Sequence, residues 1–110
     1  MITTHVLDTA LGRPGADIQV DLERAGDQAW EALASGATDS DGRLRTLTPP
    51  GPVAPGTYRI RFHTAAYLAA HHPGGFFPVV EIQFTVVDGA QHYHVPLLLS
   101  PFGYSTYRGS

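Results

Sequence analysis

Three distant places in this chain carry side chains able to move protons or steady an oxyanion. His5 lies in a strand-like opening segment, Arg43 stands directly behind an Asp41-Gly42 turn, and His92 and His94 precede an aromatic, hydroxyl-rich tail, Tyr104-Ser105-Thr106-Tyr107-Arg108-Gly109-Ser110. A neutral imidazole, with a pKa near ~6.5, exchanges protons at neutral pH. A guanidinium offers a planar fork of donors to a carbonyl on which charge develops. Such groups suit attack of water on an amide-like bond, one imidazole taking a proton and another returning it. His5, His92 and His94 could instead ligate zinc, although no Cys or carboxylate motif completes that set and nothing in the spacing shows convergence. Each also has a plainer reading: a hydrogen-bonded surface histidine, or an arginine solvated at a strand end.

The tail is unusual for a chain end. Ends tend to be small, polar and frayed, because ordering them costs backbone entropy that few contacts repay. Phenols, hydroxyls and a guanidinium after an apolar run read instead as a packed, functional end, with Tyr107, Arg108 and Ser110 as its candidates.

The elements that must position these groups are almost all strands. From His92 to Pro101 alternate side chains face opposite ways, with Tyr93, Val95, Leu97 and Leu99 on one face and His92, His94, Pro96 and Leu98 on the other. Leu in register with paired His implies that something covers the second face. Ile2 to Asp8 alternates too, with Ile2, Thr4 and Val6 opposed to Thr3, His5 and Leu7. Asp17–Glu23, Tyr58–His63 and Val80–Val86 have strict period two. Trp30–Ala34, Ala37–Asp41 and Arg43–Leu47 add further strands, with Asp39-Ser40-Asp41-Gly42 as a hairpin turn between the last two. That turn starts like a calcium loop but lacks the closing Glu. The Pro-rich stretch from Thr48 to Gly56 must be a loop, since it cannot donate a ladder of N–H groups. One short helix, Ala65–Ala70, is expected behind a Thr64 cap and ahead of His71-His72-Pro73. The histidines at that end, and His63, read as structural. Seven or eight short strands with one short helix make an all-β sandwich the natural packing.

Composition narrows the function further. A chain of 110 residues makes one domain, 1–110, and its net charge of −3 argues against nucleic acid or an anionic membrane as partner. All seven cations are Arg, which genomic codon bias alone would explain. Cysteine is absent, so a disulfide framework, a thiolate nucleophile and a Cys-type zinc site are excluded. The opening residues offer no signal-peptide pattern, so a cytoplasmic location is expected. No apolar run approaches the ~20 residues that span a bilayer.

Taken together, Thr4-His5-Val6-Leu7-Asp8 with Gly12-Arg13-Pro14, Thr38-Asp39 with Asp41-Gly42-Arg43, Phe76-Phe77-Pro78, and His92 through Ser110 resemble the 5-hydroxyisourate hydrolases, the transthyretin-related family of purine catabolism. The likeness spans the whole chain. Its most specific part is Tyr107-Arg108-Gly109-Ser110, which marks the hydrolases and is missing from true transthyretins. The resemblance implies a transthyretin-like sandwich of two four-stranded sheets, assembled as a homotetramer with active sites in a channel at the dimer-dimer interface. It implies a catalytic set of His5, Arg43, His94 and Ser110, substrate contacts from His5, Arg43, Tyr107 and Arg108, and neither a metal nor another cofactor. The implied substrate is 5-hydroxyisourate, whose six-membered ring is opened by water. The competing reading is a small-molecule carrier of the hormone-binding kind, which would want an apolar channel where this chain puts His and Arg. A protein-binding β-sandwich module is a third.

Overall fold

The computed structural model describes all 110 residues. Its elements in chain order are β1 (Ile2–Asp8), β2 (Arg13–Pro14), β3 (Gln19–Ala25), β4 (Trp30–Ala37), β5 (Arg43–Leu44), β6 (Gly56–His63), α1 (Ala65–His71), β7 (Val80–Val86), β8 (Tyr93–Ser100) and β9 (Gly103–Thr106). Two sheets stack face to face. One has the order β4-β3-β6-β7; the other is built on β1, which pairs in parallel with β8 along its whole length, and β8 carries β9 on its far side.

The second sheet holds five strands rather than the four expected. Its extra member adds no width, because β2 and β5 share one edge of β1: β2 pairs at Leu7 and Asp8, β5 at Thr4 and His5.

The core follows the period-two pattern. Ile18, Val20 and Leu22, then Tyr58, Ile60 and Phe62, then Val80, Ile82 and Val86 face Ile2, Val6, Tyr93, Val95, Leu97 and Leu99, and all are buried. Each large apolar side chain taken fully out of water contributes roughly 1.5–3 kcal/mol, which fixes which face of each strand is inside. On the outer face of the four-stranded sheet, Arg59 and Arg61 interleave with Glu23 and Glu81, and the Arg59 guanidinium lies 4.3 Å over the Trp30 ring.

Four local expectations are revised. A single strand, β4, runs from Trp30 to Ala37, and the expected strand Ala37–Asp41 is loop and turn beyond its first residue. The Asp39–Gly42 turn is not a hairpin: it carries the chain from β4 in one sheet to β5 in the other, where β5 meets β1. Thr64 precedes α1 without capping it, since its hydroxyl donates to the Phe77 carbonyl. The tail contains a strand, β9, that alternation did not reveal. His72 and His63 are structural, but through carboxylates: His72 Nε2 meets Asp8 Oδ2 at 2.7 Å, and His63 Nε2 meets Asp21 Oδ2 at 2.7 Å. No helix is long and apolar enough to cross a membrane.

Candidate active site

Strand β1 is the plank of the site. On one edge His5 is in register with Arg43 of β5; on the other, Thr3 is in register with His94 of β8. Thr3 and His5 are two apart on a strand and face the same way, so the three strands bring a histidine, an arginine and a second histidine to one outer face. A cleft of about 320 Å³ opens there, lined by Met1, Thr3, Thr4, Arg43, Arg45, His92, His94 and Ser110, while His5 stands on the same face outside its lining.

Arg43 is aimed by the turn before it. Asp39 Oδ1 accepts the backbone N–H groups of Asp41 and Arg43, both at 2.9 Å, and Val6 N–H donates to Gly42 O at 2.7 Å. The Arg43 amide, helped by that of Asp41 and by the positive fields of Arg45 and Arg43, holds the Asp39 carboxyl below its usual range against the opposing effect of burial. Gly42 has φ +78°, and a Cβ there would sit 2.3 Å from the Val6 carbonyl, so only glycine closes this turn onto β1. His5 Nε2 lies 2.8 Å from Asp41 O. A carbonyl only accepts, so neutral His5 carries its proton on Nε2 and leaves Nδ1 as its free acceptor.

His94 is half-buried, and its Nδ1 is 2.8 Å from Thr3 Oγ1. His92 Nε2 meets the same oxygen at 2.7 Å. Burial lowers the His94 pKa, and the positive fields of Arg43, His92, His5 and Arg45 lower it further. The ring is therefore uncharged at neutral pH, the state a general base needs.

The tail reaches His94 by continuing the β8–β9 register. Leu97 pairs with Thr106, and three residues further in each direction Gly109 bridges His94, its N–H donating to His94 O at 2.8 Å. Pro96 has no N–H, which interrupts the ladder between these points. Thr106 Oγ1 donates to Pro96 O at 2.7 Å instead. Ser110 thereby reaches the cleft.

Tyr107 and Arg108 do not line that cleft. They border a second groove of about 230 Å³, with Ile82, Phe84, Tyr93 and Val95. The Arg108 guanidinium stands 4.5 Å over the Tyr93 ring and donates to Gln91 Oε1 at 2.6 Å. His5, His92 and His94 do not converge on a common point for a metal.

Arg45 and Thr3 line the cleft in addition to the residues expected there from sequence. The signal was present for both: Arg43-Leu44-Arg45 alternates, as does Thr3-Thr4-His5, so each stands on the same face as a residue already singled out.

The fold and the cleft together define a class: a transthyretin-type sandwich whose outer face bears an imidazole and guanidinium site. The HIUase/Transthyretin family model matches residues 2–109, and the chain belongs to that family. The 5-hydroxyisourate hydrolase of Salmonella typhimurium is 44% identical over 110 residues, covering 100% of this chain and 81% of that one. Among solved structures, the 5-hydroxyisourate hydrolase of Klebsiella pneumoniae aligns with a TM-score of 0.86 at 35% identity, over 99% of this chain and 97% of that one. Sea bream transthyretin in complex with thyroxine aligns with a TM-score of 0.90 at 31% identity, over 98% and 93%.

Proposed function

We propose that this chain is a 5-hydroxyisourate hydrolase of urate degradation, with residues 1–110 acting as one catalytic domain. The observation that carries the reading is the cleft itself: a half-buried imidazole beside two guanidinium groups and the Gly109-Ser110 tail. In the reaction, water attacks the C6 carbonyl carbon of the six-membered ring, the N1–C6 bond breaks, and a proton reaches N1, giving 2-oxo-4-hydroxy-4-carboxy-5-ureidoimidazoline. His94 takes the proton from water. Arg43 donates to the carbonyl oxygen as charge builds on it, where a fixed donor in a site poor in water acts most strongly. His5 offers Nδ1 to a ring N–H of the substrate and steadies its orientation. Ser110 orients the water. Tyr107 and Arg108 hold the tail in place, Arg108 through Tyr93 and Gln91, so their effect on the substrate passes through Gly109 and Ser110.

The active assembly in this reading is a cytoplasmic homotetramer with its sites at the dimer-dimer interface. Leu7 and Leu98, in register across β1 and β8 on the same outer face as His5 and His94, support a covered surface there. Sedimentation should return a mass of four chains.

The carrier alternative draws on the likeness to the thyroxine-bound transthyretin. Two arginines and two histidines in the cleft oppose it, because an apolar ligand would strip them of water without pairing them. The test is to generate 5-hydroxyisourate from urate with urate oxidase and follow its ultraviolet decay. Decay that accelerates in proportion to added chain supports the hydrolase; decay at the spontaneous rate, with thyroxine bound instead, supports the carrier.

A further inference from the structure

One buried hydroxyl joins two imidazoles of the cleft. Thr3 is 4% exposed, and its single hydroxyl bridges His92 Nε2 at 2.7 Å and His94 Nδ1 at 2.8 Å. Thr3 Oγ1 has no hydrogen-bond partner besides these two rings, so its one proton goes to one ring and it accepts from the other. The two arrangements give His94 opposite chemistry. When Thr3 donates to His92, His94 carries its proton on Nδ1 and its Nε2 is a base. When Thr3 donates to His94, the proton is on Nε2 and that nitrogen is an acid. Gly109 packs against Cδ2 of the ring, so the Nε2–Cε1 edge is what His94 has left to present to the cleft.

We propose that Thr3 is a positioning residue that switches His94 between base and acid by passing a proton between His94 Nδ1 and His92 Nε2. This rests on the hydrolase reading of the same cleft. As the water oxygen bonds to the carbonyl carbon, a water proton goes to His94 Nε2. The Nδ1 proton moves to Thr3 Oγ1, and the Thr3 proton moves to His92 Nε2. His94 is then neutral with a proton on Nε2, and the positive charge rests on His92, the more exposed of the two rings in the single chain. When the C–N bond breaks, Nε2 gives its proton to the leaving nitrogen, and both Thr3 hydrogen bonds reverse. Every proton taken from water is returned to nitrogen, and the three side chains regain their starting state. Among the charged groups around His94, Arg43 and Arg45 from the β5 side and the imidazoles of His92 and His5 place positive fields on it. All oppose a lasting charge on His94, which favours its export through Thr3.

The experiment compares the full chain with Thr3→Val, which keeps the β-branched shape and removes the hydroxyl, and Thr3→Ser, which keeps the hydroxyl. Nitrogen-15 NMR of labelled histidines reads the tautomers without substrate, and urate-oxidase-coupled kinetics reads kcat and KM. In the wild type and Thr3→Ser, His94 populates the Nδ1-protonated form, and in Thr3→Val it collapses to the Nε2-protonated form. Thr3→Val loses at least ~10-fold in kcat with KM within about twofold, while Thr3→Ser restores most of kcat. A Thr3→Val variant with unchanged His94 tautomer or unchanged kcat, beside normal wild-type turnover, overturns the relay alone. Absence of wild-type turnover overturns the hydrolase reading and the relay with it.

Discussion

Gly109 lies with its backbone directly against the His94 ring: its N–H donates to His94 O at 2.8 Å, and a Cβ built on it would stand 2.6 Å from His94 Cδ2. Tail and imidazole therefore hold each other, and neither can move without displacing the other. Gly109→Ala should cut kcat/KM by at least ~10-fold, since small misplacements of a reacting group are costly. Its thermal midpoint should stay within about 2 °C of the wild type, as the tail contributes little to the core. Coupled kinetics alongside a melting curve checks both; wild-type turnover in this variant would detach the tail from catalysis.

The rate should fall on the acid side only below the ordinary histidine range. Burial first, then Arg43, lowers the His94 pKa, so the base form persists at pH values where a free imidazole is already charging. The acid limb of kcat/KM should accordingly lie below pH 6.5. Arg43→Ala should move that limb upward while lowering the plateau, because it removes a positive neighbour and a donor together. A pH–rate profile of both proteins decides this, and an unmoved limb would separate Arg43 from His94.

The turn that aims Arg43 should tolerate no side chain. Gly42→Ala places a Cβ 2.3 Å from the Val6 carbonyl at φ +78°, and should destabilise the chain by about 2–4 kcal/mol. Gly12 has a similar φ of +69° but open space around it, so Gly12→Ala should cost only about 1–2 kcal/mol. Denaturant unfolding of the pair separates the clash from the backbone preference.

At the far end of β1, Asp8 should matter for stability alone. Its carboxylate is buried and accepts from Tyr67 OH, His72 Nε2 and the amides of Ala10 and Leu11. Burial would raise its pKa, but these bonds outweigh it and hold it below 3.8, while the Tyr67 phenol is pushed up to about 12 and stays a donor. A carboxyl depressed on folding stabilises above its unfolded pKa and loses that contribution as pH falls through the folded value. Asp8→Ala should lose about 3–5 kcal/mol at pH 7 and flatten the stability loss below about pH 4. Asp21, held down likewise by His63 and Ser35 against its burial, keeps its share of the acid sensitivity. Unfolding measured across pH 2–7 tests the assignment, and kcat of the folded fraction should stay near wild type.

The strands at the sheet centres were legible because alternation is local: Val20 and Leu22, Ile60 and Phe62, or Val95 and Leu97 announce their inner face within a few residues. The candidate histidines and Arg43 were legible by residue type. Their mutual geometry was not, because Thr3 meets His94 across 91 positions through a parallel pairing that no local pattern encodes. The turn at Asp41-Gly42 was legible as a turn, but turn chemistry does not say which sheet receives the next strand. Strand β9 escaped because Gly103, Tyr104, Ser105 and Thr106 show no apolar alternation; their pairing is supplied by β8.

Groups from β1, β5 and β8 act as one unit, and a double-mutant cycle on Arg43 and His94 tests this most directly. Arg43→Ala and His94→Ala should each lower kcat/KM by at least ~100-fold in coupled turnover, and the double variant should fall little further than the worse single one. Losses that multiply in full, or near-normal turnover in either single variant, would contradict a shared site.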